Sequence, residues 1–139
     1  MFMYDPELTR PMRQELVNNG VIELKTPQEV DETINNTKGT FLIIVNSVCG
    51  CGAGTARPGL LLSLKNNKIP NKIFTVFAGV DREATEKARS YFRDYPPSSP
   101  SMFLFKDNQL VFALERSNIE GKELEKLSSL LTEAYNKYC

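Results

Sequence analysis

Residues 41–59 read FLIIVNSVCGCGAGTARPG. The run TFLIIVN (40–46) is continuously β-branched, aliphatic and aromatic. That is the pattern of a strand buried on both faces, in the middle of a sheet covered by helices. It breaks into Cys49 and Cys51, separated by Gly50, and Gly52 and Gly54 follow. GTARPGLLLSLKNN (54–67) then reads as a helix. Its Pro58 lacks a backbone donor, so it bends the helix or marks the end of its first turns. Two thiols therefore stand at a strand-to-helix junction.

The flanking sequence supplies the rest of an α/β order. Residues 6–19 form a helix, with Asp5 as its cap, Pro6 at its first position and Gly20 at its end. VIEL (21–24) is a short extended segment. Thr26, Pro27 and Glu29 open a second helix with a capping-box pattern. KIFTVFAGV (72–80) is a second central strand, and DREATEKARSYFRDY (81–95) a helix capped by Asp81. SMFLFK and LVFALE flank Asp107-Asn108-Gln109 as a hairpin. NIEGKELEKLSSLLTEAYNKY closes the chain as an amphipathic helix, with Leu124, Leu127, Leu131 and Tyr135 on one face. Two strands joined by a helix run parallel, and the hairpin adds an antiparallel edge. Reactive groups in such sheets sit beyond the carboxyl ends of the strands, where Cys49 and Cys51 fall.

The length of 139 residues reads as one domain, 1–139. Lys plus Arg and Asp plus Glu number 17 each, so no bulk charge draws the chain to nucleic acid or anionic lipid. Apolar runs such as Phe41–Val45 and Leu60–Leu62 are too short to span a bilayer. The N-terminus MFMYDPELTR carries acid early and lacks a signal-peptide core, which points to the cytoplasm. Histidine is absent. That removes Ser-His and Cys-His pairs, an imidazole base and any His-containing zinc site. Cys49, Cys51 and Cys139 are the only soft nucleophiles, too few for a disulfide framework.

A thiol at a helix N-terminus meets unpaired N–H groups and the positive end of the helix dipole, and both favour thiolate. A cysteine of pKa about 8.5 is a few per cent ionised at pH 7, whereas at about 6.5 most of it is. Gly50, Gly52 and Gly54 lack a Cβ, so the backbone turns sharply and a bulky sulfur compound can approach. Arg57 lies in the same helix, in a direction the sequence does not specify. One residue between two thiols closes a small ring that restricts disulfide torsions, so a Cys49–Cys51 bond is expected to be transient. The competing readings are two buried small hydrophobes or a metal site. Two cysteines do not complete a zinc tetrahedron and Cys139 adds only a third ligand, so a metal would have to bridge chains. Cys139, the last residue, is either an incidental thiol or a third redox partner, depending on where its helix packs. In DYPPSSPSMFLF, Pro100 stands directly before a strand, where a proline is tolerated; composition alone favours an ordinary trans bond there.

A buried strand, a dithiol at a helix start, a proline in that helix and a proline before the next antiparallel strand resemble the thioredoxin-like superfamily. The resemblance implies a central mixed sheet flanked by helices on both faces, here with an extra N-terminal helix. It implies that Pro100 is cis and faces the dithiol, and that the backbone of Ser99 pairs with the bound peptide or thiol. Cys-Gly-Cys departs from the usual Cys-x-x-Cys of that superfamily. More closely, NSVCGCGAGTARPG and YPPSSPSMFLF are similar to the bacilliredoxin family, over nearly the whole chain. That similarity implies a cytoplasmic oxidoreductase with no cofactor, which removes bacillithiol from mixed disulfides on oxidised proteins. Cys49 attacks, Cys51 resolves, Gly50 and Gly52 admit the small thiol and Pro100 shapes the groove. The same residues would serve a disulfide isomerase or reductase. A module holding metal or a partner through paired thiolates is the reading of another class.

Overall fold

The computed structural model describes residues 5–139; residues 1–4, part of the N-terminus read above, lie outside the described residues. Helix α1 (Pro6–Val17) leads to β1 (Ile22–Glu23), α2 (Pro27–Asn36) and β2 (Thr40–Asn46). A π-helical turn (Gly52–Ala56) runs into α3 (Arg57–Ser63), followed by β3 (Lys72–Phe77) and α4 (Arg82–Arg89). β4 (Ser101–Lys106), β5 (Gln109–Leu114), α5 (Arg116–Ile119) and α6 (Leu124–Tyr138) complete the chain. The five strands lie in the order β1-β3-β2-β4-β5. β1 and β2 pair parallel to β3, and β4 pairs antiparallel to β2 and to β5.

All seven residues of β2 are buried, as a central strand requires. Its side chains alternate between two apolar layers. Leu42 and Ile44 enter a layer with Ala56, Leu60, Leu127 and Leu131. Phe41, Ile43 and Val45 enter the other, with Val30, Ile34, Ala84 and Phe92. α3 and α6 thus cover one face and α2 and α4 the other. Stacked rings of Phe41 on Phe105 and Phe92 on Phe103 fill the second layer.

The caps at Asp5 and Thr26 form as read: Asp5 accepts from Glu7 N and Thr26 from Glu29 N. Asp81 stands at the N-cap of α4, as read, but its side chain makes no capping hydrogen bond. Its carboxylate lies 2.8 Å from Arg13 Nη2, and Arg13 Nη1 lies 2.8 Å from Glu23. This charge cluster, with Arg13 5.2 Å above the Phe77 ring, fastens α1 to the carboxyl ends of β1 and β3. The strand expected over 72–80 stops at Phe77, because Val80 N and Asp81 N turn back onto Phe77 O. The helix expected over 81–95 passes at Ser90–Phe92 into a 3₁₀ turn. The last helix is two: α5 ends and Gly121 takes φ +80° before α6 begins. In the hairpin, Asp107 (φ 50°) and Asn108 (φ 66°) form the turn, positive angles that these two side chains tolerate. A bulge follows: Phe105 pairs with Leu110, but Leu104 pairs with Phe112, leaving Val111 extra on β5.

Candidate active site

The site lies where β2 ends. Beyond Asn46 the chain turns through Ser47, and the N–H groups of Gly52 and Ala53 close onto Cys49 O at 3.0 and 3.3 Å. Cys49 and Cys51 are both partly exposed, with their sulfurs 2.7 Å apart as free thiols. They ionise in opposite directions. Burial is the largest influence on Cys49 and pushes it up. It is outweighed by hydrogen bonds from the Cys51 thiol, the Ser47 hydroxyl and the backbone N–H groups of Gly52 and Cys51, so Cys49 lies below the ordinary thiol value. Cys51 is pushed up by burial, and further up by its hydrogen bond to Cys49 and the charge there, with Arg116 pulling the other way.

Arg57 does not point at the sulfurs. Only 2% exposed, it runs beneath them. Its Nε donates to Glu15 of α1 at 2.8 Å and its Nη1 to Asn46 Oδ1 at 2.9 Å and to Ser47 O at 2.8 Å. Asn46 also accepts from Ser47 N and donates to Met12 O. The turn carrying the dithiol is therefore held from behind by a buried cation. Gly52 belongs to the same arrangement. It is buried, and a Cβ there would lie 2.7 Å from Ser47 O and 3.1 Å from Arg57 Nη1. Its missing side chain serves this close packing. Gly50 is exposed, with open space where a Cβ would stand.

The chain changes from π-helical to α-helical at Arg57, whose N–H reaches back to Gly52 O. Pro58 follows in the first turn of α3, where a missing donor costs least. The Ser99–Pro100 peptide is cis, as the family resemblance implied and composition alone did not. Register brings Pro100 to the dithiol's end of the sheet: Val45 pairs with Ser101, so the residue before Ser101 lies beside the end of β2. Two arginines hold this loop. Arg89 Nη2 donates to Ser98 O at 3.3 Å and Arg116 Nη1 to Ser99 O at 3.4 Å. Neither arginine belongs to a sequence motif. Arg116 becomes legible only once the hairpin register is known.

Cys139 lies elsewhere. Its thiol is acted on by Thr40, the first residue of β2, and by Lys106 and Lys68, all at the opposite end of that strand. Seven residues of strand separate that end from the dithiol, roughly 20 Å at about 3.3 Å per residue. The arrangement in which Cys139 joins the dithiol within one chain is excluded, and so is its service as a third ligand there.

The family described as "Disulphide isomerase" matches residues 4–139. A bacilliredoxin of Cytophaga hutchinsonii is 49% identical over 135 residues, covering 97% of this chain and 99% of its own. One from Halalkalibacterium halodurans is 48% identical, covering 98% and 94%. The chain belongs to the bacilliredoxin family. Among solved structures, this bacilliredoxin-family chain superposes on mitochondrial thioredoxin 3 of Saccharomyces cerevisiae with TM-score 0.57 at 14% identity, covering 88% of this chain and 98% of that one. Fasciola hepatica thioredoxin superposes with TM-score 0.57 at 17%, covering 86% and 100%. These likenesses show the thioredoxin fold. Family, fold and dithiol together make this bacilliredoxin-family chain a thiol-disulfide oxidoreductase. No helix among the described residues is long and apolar enough to cross a membrane.

Proposed function

We propose that the protein removes bacillithiol from S-bacillithiolated proteins in a reducing cytoplasm, with bacillithiol as co-substrate and no bound cofactor. The observation that carries this is the opposed ionisation of two touching thiols: Cys49 is shifted toward the thiolate and Cys51 toward the thiol. The names of the relatives support bacillithiol as the thiol concerned. Cys49 thiolate attacks the bacillithiol sulfur of a protein–S–S–bacillithiol bond. That bond breaks as the Cys49–S–S–bacillithiol bond forms, and the protein leaves as thiolate. Cys51 or solvent supplies the proton it takes up. Deprotonated Cys51 then attacks Cys49 Sγ, bacillithiol leaves with its electron pair and is protonated, and the dithiol is oxidised by two electrons to an internal disulfide. A second bacillithiol attacking the adduct's bacillithiol sulfur releases reduced Cys49 instead, giving oxidised bacillithiol. Gly50 leaves the approach to Cys49 open, and Ser99 and Pro100 line the groove.

Mass spectrometry of single variants exposed to oxidised bacillithiol tests the roles. Cys51→Ala should accumulate the adduct on Cys49, and Cys49→Ala should lose turnover. Equal turnover in Cys49→Ala would refute the assignment. The family description favours a second reading, isomerisation of ordinary protein disulfides by the same pair. Matched assays on a scrambled protein and a bacillithiolated one separate the two.

A further inference from the structure

We propose that Arg116 is the specificity-determining residue of the dithiol groove: its guanidinium, set against the Ser98–Pro100 loop, receives an anionic group on the thiol half of the disulfide that Cys49 attacks. This rests on the oxidoreductase reading and adds the charge class of the substrate. Strand register carries the argument. Met102 pairs with Leu114, so continuing the ladder two residues brings Arg116 beside Pro100. Val45 pairs with Ser101 on the other side of β4, so the dithiol turn flanks the same loop. A substrate held along that loop lies between the sulfurs and Arg116.

The bulge decides which charge stands there. At the turn end of the hairpin, Lys106 pairs with Gln109. That register, continued without a bulge, would bring Glu115 opposite Pro100. The extra Val111 advances β5 by one residue and presents a cation instead. The side chain is anchored yet available. Nη1 holds Ser99 O, Nε meets Glu120 at 2.7 Å, and Nη2 has no hydrogen-bond partner among the described residues. The residue is exposed, and its charge acts on both Cys49 and Cys51. The other cation behind the site, Arg57, is buried and engaged by Glu15. Glu115 spends its carboxylate capping α5.

One reporter peptide, its cysteine blocked in turn by 3-mercaptopropionate, 2-mercaptoethanol or cysteamine, supplies anionic, neutral and cationic probes of similar size. Pre-reduced full-length protein is mixed with each under single-turnover conditions at low salt. Wild type should release the anionic group about three- to five-fold faster than the neutral one, with the cationic group slowest, as suits one exposed charge contact. Arg116→Gln should flatten the order: the anionic probe should lose most of its three- to five-fold advantage over the neutral one and the cationic probe should close on it, over and above any rate change common to all three. Arg116→Lys should keep most of the order, and Glu120→Gln should steepen it. Salt near 0.1 M should compress it, because the Debye length is then about 10 Å. An order unchanged in Arg116→Gln overturns the proposal. So does an equal loss on all three probes, which would make Arg116 a support for the loop alone. A bacillithiolated peptide run alongside separates the two readings: failure of wild type to clear it, with the Arg116-dependent order intact, counts against the proposed function and not against this inference.

Discussion

At the scale of single residues, the site turns on how one sulfur changes the other. Cys49 is held down chiefly by hydrogen bonds, the Cys51 thiol contributing the largest of them, while Cys51 is held up partly by Cys49. Removing either partner should return the survivor toward the ordinary thiol value, from opposite sides. In a Cys139→Ser background, the pH midpoint for iodoacetamide modification should rise for Cys49 when Cys51 becomes Ala. It should fall for Cys51 when Cys49 becomes Ala. Midpoints moving the same way would show that the two sulfurs do not share a proton. Below its folded-state pKa Cys49 is protonated and loses nucleophilicity, so the reaction should fade as pH falls through that point.

At the scale of elements, α1 is joined to the dithiol turn through one buried guanidinium. Arg57→Met strips Glu15, Asn46 and Ser47 of their donor and should cost about 3 kcal/mol, read as a lowered denaturant midpoint with an unchanged slope. Glu15→Gln keeps an acceptor and should cost about 1 kcal/mol. A cost for Arg57→Met no larger than for Glu15→Gln would mean that the turn holds itself. The central strand, the dithiol and most element identities were legible because local rules govern them: the apolar run of 40–46, the caps at Asp5 and Thr26, the turn at Asp107-Asn108. What escaped depends on distant partners. Asp81 holds the cap position as read, but Arg13 arrives from α1 to claim the carboxylate that the sequence assigns to capping. Gly52 reads as room for a ligand until Arg57 and Ser47 are seen to fill the space. Arg116 has no motif, and its placement hangs on one surplus residue in β5.

At the scale of the whole molecule, the sheet separates its sulfurs. The dithiol sits beyond the carboxyl end of β2, whereas Cys139 lies near Thr40, the residue that begins it. Mild oxidation of dilute protein, followed by peptide mapping, should give Cys49 linked to Cys51, and should place every Cys139 linkage in dimers. A monomer with Cys139 joined to either site cysteine would contradict the topology. The separation has a practical side. With its reactive pair protected as the internal bond, the chain can be tethered to a solid support through the C-terminal sulfur alone. Every tethered copy would then turn its working end toward the solution, oriented by its own architecture.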